Sequence, residues 1–562
     1  MTYKEKYQMW LDNRELDKSL KAELECMKND DEAIKFSFGT DLEFGTAGLR
    51  GIMGAGTAKM NIYTVRRASL ALAKYMYDAG IAESGVAIAY DSRINSRLFA
   101  EETAKVLAKA GVRVYLFDDL RPTPELSFAV RYLKCGAGVV ITASHNPKEY
   151  NGYKVYGADG GQVVNEAADA ILAHMENIGI FDAETADMSS VEIIGKEVDE
   201  AFYEAILKES LNPDAAAKAN LKIVYTPFHG AGLKGVCEVL KRLGIKNVIV
   251  EPKQAIPDGS FPTVKSPNPE NPDGFKLAVE LAKKEDVDLI IGTDPDSDRV
   301  GVIVRDDMGE YIPLTGNMTG ALLVDYVLSQ KKNNGTLPEN AVVIKTIVTN
   351  EIIKAITDFY GAELVNVLTG FKFIAEKIKE YEETGSKTYV FGFEESYGYL
   401  PGTYVRDKDA VGASMLIAEM ASWYKLQGMS LYDAYCALAG KYGHYGEWVD
   451  NIYFEGLGGK EKIAAIMENL RANAPAEIAG SRIIAYSDVL EGYKYDTVNG
   501  TKEKLPFTKS NVLRYETEDG AFVAFRPSGT EPKFKVYAGF KAENIKEKAA
   551  QIKADVEKII GK

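Results

Sequence analysis

Four short segments of this 562-residue sequence gather side chains that can do chemistry. In residues 138–154, GVVITASHNPKEYNGYK, β-forming residues from Gly138 to Ile141 empty into a polar loop. That loop carries Ser144 beside His145, with Lys148 and Lys154 downstream. Open α/β sheets place ligands at the carboxyl ends of parallel strands, where this hydroxyl would stand. Residues 293–299, TDPDSDR, set Asp294, Asp296 and Asp298 at alternate positions after the apolar run DLIIG. Three carboxylates so close repel one another unless a cation joins them, and all-oxygen ligation suits Mg²⁺; the alternative is a solvated acidic turn. Residues 392–398, GFEESYG, offer Glu394 and Ser396 as acceptors for vicinal sugar hydroxyls, with Lys408 and Asp409 following. Residues 526–533, RPSGTEPK, form a Gly-Ser-Thr turn between Arg526 and Lys533. Successive N–H groups and a guanidinium there suit a phosphate. Nucleophile, metal loop, sugar loop and phosphate clamp together describe phosphoryl transfer.

Rival readings of the same residues are weaker. An EF-hand counted from Asp294 needs Gly and Glu where the chain has Arg299 and Arg305. An aspartyl nucleophile of the haloacid-dehalogenase kind would place Asp294 in a DxD pair, which usually continues with Thr or Val where Ser297 stands. Gly230-Ala231-Gly232-Leu233-Lys234-Gly235 fits the dinucleotide pattern G-x-G-x-x-G, with Glu251 ending the next strand. Thr226-Pro227-Phe228-His229 separates those glycines from their strand, so close helix packing is the better account, with His229 structural.

These loops need elements to hold them. Strand-like and helix-like segments alternate from GVAIAYDSR through an Ala-rich helix near 99–110 and VRVYLFDD to GVVITASHN, which predicts a parallel sheet with crossover helices. The rhythm recurs twice more, ending in the loops at Asp294 and Glu394, so we expect three similar α/β units. From about residue 445 the texture changes to antiparallel strands and a final amphipathic helix over 543–561, an α+β unit. The expected domains are 1–205, 206–313, 314–444 and 445–562, set around a central cleft. The first 40 residues read as a polar-faced helical lead-in.

Composition bounds the rest. Hydrophobic residues at 46% and charged residues at 27% are ordinary for globular chains. The formal charge of −15 argues against nucleic acid or an anionic membrane as partner, while leaving room for a phosphorylated small molecule held by clustered Arg and Lys. Cys26, Cys135, Cys237 and Cys436 show no metal or redox spacing. The N-terminus is charged throughout, and no run approaches a membrane span; the longest, near 410–424, contains Glu419. A soluble cytoplasmic protein is expected.

The loops TASHNPKEYNGYK, GTDPDSDR, GFEESYGY and RPSGTEPK, in this order, resemble the α-D-phosphohexomutase superfamily from Phe44 to the C-terminus. FGTAGLRG and GFEESYGYLPGTYVRDKDAVGAS look most like its phosphoglucomutase/phosphopentomutase branch. The resemblance implies that Ser144 is the phosphorylated serine and, with Asp294, Asp296 and Asp298, a ligand of Mg²⁺. It makes Arg50, His145 and Lys154 catalytic neighbours. Arg299, Gly370, Lys372, Glu394, Ser396 and Lys408 would contact substrate, with Arg526, Ser528, Gly529, Thr530 and Lys533 as the phosphate clamp. Tyr399 after Gly398, where the phosphomannomutase-like branch tends to have histidine, and LTGFKFI, where the glucose type has tryptophan at Phe371, favour glucose. The implied activity interconverts glucose 1-phosphate and glucose 6-phosphate through glucose 1,6-bisphosphate. A phosphopentomutase, a sugar-bisphosphate synthase and a non-catalytic phosphosugar-binding protein are the alternatives.

Overall fold

The computed structural model describes residues 1–45, 48–454, 458–528 and 533–561, without the Asn165 side chain. The lead-in is three helices, Tyr3–Asp12, Lys18–Cys26 and Asp31–Phe38, each started by a side-chain cap from Thr2, Asp17 and Asp30. Their inner faces bury Trp10 and Phe38 against Tyr63 and Phe181, with Trp10 ring-to-ring distances of 5.6 Å to Phe38 and 5.5 Å to Tyr63. A lead-in that is polar outside is thus docked through aromatic packing.

The first sheet has seven strands, ordered Phe44–Gly45, Gly48–Ile52, Tyr150–Gly157, Ala137–Ile141, Val86–Tyr90, Val114–Phe117 and Glu192–Ile194. Val86–Tyr90 pairs in parallel with both neighbours and is buried at every position, like Ala137–Ile141, because helices Ser96–Lys109 and Thr123–Tyr132 run between these strands. The second sheet is ordered Tyr311–Leu314, Val300–Arg305, Leu289–Thr293, Lys222–Thr226, Asn247–Val250, and the third Glu363–Val367, Ala341–Thr346, Thr388–Glu394, Gly398–Leu400.

A shared device recurs in all three. A parallel strand reaches its carboxyl end, turns through a polar loop, and returns as an antiparallel neighbour: Ala137–Ile141 to Tyr150–Gly157, Leu289–Thr293 to Val300–Arg305, Thr388–Glu394 to Gly398–Leu400. Each loop holds one non-glycine residue in the left-handed region: Ser144 at φ 51°, Ser297 at 51° and Tyr397 at 67°. Such residues cost about 1–3 kcal/mol and persist where their surroundings over-determine them, as at functional sites. The three α/β units expected from the sequence are present.

One core joins the second and third units, from Ile223, Tyr225 and Val236 through helix Ala410–Lys425 to Val342 and Ile374. That helix is the apolar run noted in the sequence. It is buried on nearly all sides, and its Glu419 accepts from Leu211 N at 2.9 Å and Tyr326 OH at 3.0 Å. The last unit is an antiparallel sheet built on Tyr445–Tyr453, Lys533–Lys541, Phe522–Pro527, Leu513–Thr517 and Ser481–Asp488, covered by helices Gly459–Ala472 and Ile545–Ile559. Ile552 and Val556 are the buried positions of the final helix. An apolar seam of Ile347, Val348 and Leu368 with Val512, Phe522 and Tyr537 docks it on the third unit. Among the described residues no helix is long and apolar enough to cross a membrane.

Candidate active site

The Ser144 and acidic loops meet face to face. Ser144 Oγ donates to Asp294 Oδ2 at 3.0 Å and lies 3.1 Å from His145 Nδ1. Asp294, Asp296 and Asp298 each turn one oxygen into a common space, those atoms lying within 4.8 Å of one another. Asp294 Oδ1 accepts from the Asp298 and Arg299 amides at 3.1 and 3.0 Å, closing the loop on itself. Asp296 Oδ1 and Asp298 Oδ1 are buried and have no hydrogen-bond partner. Buried carboxylate oxygens left unpaired are costly, and a hard divalent cation is the group that satisfies this all-oxygen set. The residues therefore fit a metal ion.

Electrostatics divide the triad. Burial, with Asp296 and Asp298 as like charges, raises Asp294 well above the usual carboxylate range, and burial with Asp296 also raises Asp298. Burial works against ionised Asp296 too, but the Lys154 ammonium at 3.0 Å overrides it and holds that carboxyl far below its ordinary value. A bound cation would ionise all three. Burial, then the positive charge of Arg299 and Arg50, pushes His145 well below its usual value, so its imidazole is neutral at pH 7.

Sheet register explains the basic groups. Gly48–Ile52 pairs antiparallel with Tyr150–Gly157, setting Arg50 opposite Gly152 and Gly48 opposite Lys154. Arg50 Nη1 donates to Asn146 Oδ1 at 3.1 Å, at the rim of the Ser144 loop. Arg299 pairs with Glu270 at 2.7 Å. Glu394 accepts from the Gly370 amide at 2.8 Å, joining two of the expected sugar contacts, and burial raises its carboxyl. Ser396 follows it in the same turn. Lys372 is half-buried beside Phe373, and burial lowers its ammonium.

Two more side chains are fixed by their partners. Lys408, expected at the sugar, sends its ammonium to Asp298 Oδ2 at 3.0 Å and Asp407 Oδ1 at 3.1 Å. Its stem passes so close over Gly398 that a Cβ there would collide with Lys408 Cδ. Tyr399 has its phenol turned into the core, donating to Gly316 O at 3.1 Å and stacking on Phe393, so it cannot read the sugar by contact.

At the clamp, Arg526 sits in strand Phe522–Pro527, and Ser528 N donates to Lys533 O at 2.7 Å. Gly529 and Thr530 lie outside the described residues. Arg526 is paired across the sheet with Lys535, whose ammonium burial lowers.

The glycine pattern serves the acidic loop. A Cβ on Gly230 would collide with Pro295 Cα, and one on Gly232 would stand 2.6 Å from Ser297 Oγ. His229 is structural, with its ring nitrogens 2.9 Å from Ile256 O and 2.8 Å from Thr263 Oγ1.

Sequence reasoning missed Thr123, whose amide and hydroxyl hold Asp296 O and Oδ2 at 2.8 and 3.0 Å. It also passed over Asp91 and Arg93, whose side chains reach the serine loop, and Glu270, which pairs with Arg299. The Asp-Ser-Arg run after an apolar strand was the visible signal.

Fold and site together define a protein of three α/β units and an antiparallel fourth, with a serine poised on an acidic triad. Models of the phosphoglucomutase/phosphomannomutase α/β/α domains I, II and III match residues 41–180, 200–309 and 315–442 in turn. The chain belongs to this family, within the α-D-phosphohexomutases. It is 40% identical over 522 residues to a phosphoglucomutase of Staphylococcus haemolyticus, covering 92% of this chain and 93% of that one. A Staphylococcus aureus phosphoglucomutase is 39% identical over the same coverage. The fold is similar to that of a putative phosphomannomutase from Thermus thermophilus, with TM-score 0.69, 23% identity, and coverage of 93% of this chain and 100% of that one. It is also similar to an open-form phosphoglucomutase of Paramecium, with TM-score 0.68, 16% identity, and coverage of 93% and 96%.

Proposed function

We propose that this chain is a phosphoglucomutase that interconverts α-D-glucose 1-phosphate and glucose 6-phosphate through a phosphoserine at Ser144 and glucose 1,6-bisphosphate. The observation that carries it is Ser144 Oγ at 3.0 Å from Asp294 inside a triad that fits a metal ion. Asp294, Asp296, Asp298 and a phosphoserine oxygen would hold Mg²⁺, which when bound neutralises charge and polarises the P–O bond.

The chain's own groups supply the rest. Glu394, Ser396, Gly370, Lys372 and Arg299 would orient the sugar. Arg526, Ser528 and Lys533, with Gly529 and Thr530, would hold the phosphate it already carries. So anchored, the free hydroxyl attacks the phosphoserine phosphorus: a sugar O–P bond forms, the Ser144 Oγ–P bond breaks, and the hydroxyl proton ends on the departing Oγ. His145, neutral and beside Oγ, is placed to exchange a proton with the departing oxygen. Lys154, ion-paired to Asp296, adds positive charge where negative charge builds. The bisphosphate turns over in the cleft and returns its other phosphoryl group to Ser144. A cytoplasmic location suits these substrates.

The test is intact mass with peptide mapping, then addition of each sugar phosphate. One phosphoryl group on Ser144, lost to glucose 1-phosphate faster than to ribose 1-phosphate, is the expected result. Full mutase activity in Ser144→Ala supplied with glucose 1,6-bisphosphate would overturn it.

A further inference from the structure

Asp91 and Arg93 follow strand Val86–Tyr90, outside all four loops. Both side chains are 0% exposed and ion-paired at 3.3 Å. The Arg93 guanidinium spends its donors on backbone of the serine loop. Nη2 donates to Ser144 O at 2.6 Å and Asn146 O at 2.5 Å, while Nη1 donates to Pro147 O and Tyr150 O, both at 3.0 Å. Asp91 reaches the other end of the same residue. Its Oδ2 accepts from Thr142 Oγ1 at 2.7 Å, and that hydroxyl accepts from Ser144 N at 2.8 Å. Ser96 Oγ and the Arg93 amide fill Asp91 Oδ1 at 2.7 and 2.9 Å. From across the unit boundary, Phe261 lies under the guanidinium at 5.1 Å.

We infer that the Asp91–Arg93 pair is the positioning device for Ser144, clamping its N–H through Thr142 and its C=O directly, and so holding the left-handed conformation that aims Oγ at the acidic triad. The inference rests on the phosphoserine reading above.

Geometry favours this over a merely stabilising ion pair. Buried ion pairs are weak contributors to net stability, because desolvation offsets the attraction. Here the pair's hydrogen bonds converge on one loop, and that loop contains a non-glycine residue at φ 51°. Released, Ser144 would relax toward the broad β or right-handed regions and swing Oγ off Asp294. A planar five-donor fork can serve four carbonyls together, whereas the three donors of an ammonium cannot.

The test compares Arg93→Lys, Thr142→Val and Thr142→Ser in the full chain, with melting temperature, kcat and KM for glucose 1-phosphate. A misplacement of about 1 Å can cost about 10²-fold in rate. Arg93→Lys and Thr142→Val should therefore lose kcat on that scale per folded molecule with KM little changed, and Thr142→Ser should recover most of the Thr142→Val loss. If Arg93→Lys does not fold, the Thr142 pair decides, because it cuts the Asp91–Thr142–Ser144 arm of the clamp while leaving both members of the ion pair in place. Wild-type kcat in folded Thr142→Val, with phosphate mapped to Ser144 in the wild type, overturns the clamp and leaves the phosphoserine standing. A wild type never phosphorylated at Ser144 sinks both.

Discussion

The Lys408 ammonium lies 3.0 Å from Asp298 Oδ2, a contact that ties the third unit to the acidic loop of the second. It is shared with Asp407 at 3.1 Å, whose other oxygen accepts from Tyr156 OH at 2.7 Å in the first unit. One buried cation thus balances two buried carboxylates and joins three sheets at the triad.

Removing that cation should be costly. Lys408→Met leaves Asp298 and Asp407 buried without their nearest cation, and breaking a buried pair from one side costs about 3–5 kcal/mol. We expect a lower melting temperature in metal-free buffer and lower mutase activity. Added magnesium chloride should recover more of the melting temperature in the variant than it adds to the wild type, since a divalent ion replaces the missing charge. Equal magnesium responses in thermal-shift measurements would show that Lys408 does not balance the triad.

Metal binding should appear as stability in the wild type and vanish with one ligand. A ligand at 100 times its Kd stabilises by about 2.7 kcal/mol. Asp296 has one oxygen held by Lys154 and Thr123 and the other unpaired. Asp296→Asn should fold, lose the magnesium-dependent rise in melting temperature, and lose activity by about 10²–10³-fold. Chelation of the wild type should mimic the variant, and an Asp296→Asn variant that still shifts with magnesium would place the metal elsewhere.

What was legible in the sequence was whatever is contiguous along it. The acidic triad spans five residues between two apolar strands, and Ser144 follows one, so type and spacing alone located them. Arg93 was not legible because its partners stand about fifty residues away, and only the parallel pairing of Val86–Tyr90 with Ala137–Ile141 lays the two loops side by side. Tyr399 marked the branch through its sequence, while its surroundings were not legible for a related reason. Strand Gly398–Leu400 is buried at every position, so neighbouring in sequence to a sugar loop did not mean facing the sugar. The core shared by the second and third units was hidden too, since an apolar helix such as Ala410–Lys425 does not announce which sheets it will join.

Asp409 predicts a pH dependence. It starts helix Ala410–Lys425, accepting from Val411 N at 2.8 Å and Tyr404 OH at 2.6 Å, and burial raises its carboxyl to about 6. An unfolded aspartate titrates near 3.9. The folded value is the higher one, so the stability it contributes is fully present below about pH 3.9 and is lost as pH rises through about 6, roughly 2–3 kcal/mol in all. Asp409→Asn keeps a capping oxygen without the charge. Its melting temperature should exceed that of the wild type at pH 7.5 and converge with it near pH 4; a constant difference across that range would refute the assignment.

The glycines of the dinucleotide-like pattern offer a graded test of what holds the acidic loop. Alanine in a helix normally gains about 0.5–1 kcal/mol over glycine. At Gly232, the first residue of helix Gly232–Leu243, the new Cβ would stand 2.6 Å from both Ser297 Oγ and Tyr225 OH, and 2.7 Å from Thr293 Oγ1. At Gly230 it would run into the Pro295 backbone. At Gly235 the nearest atoms are the Val411 methyls at 3.3 and 3.4 Å, which can give way. Overpacking costs about 1–3 kcal/mol, enough to reverse the helix gain at Gly232 and to destabilise Gly230, which precedes the helix. Gly230→Ala and Gly232→Ala should therefore lower the melting temperature and, by displacing Pro295 and Ser297 between the carboxylates of the triad, weaken magnesium binding. Gly235→Ala should bind magnesium like the wild type. A dinucleotide site would behave otherwise: all three variants would bind magnesium normally and titrate NAD differently from the wild type in cofactor fluorescence.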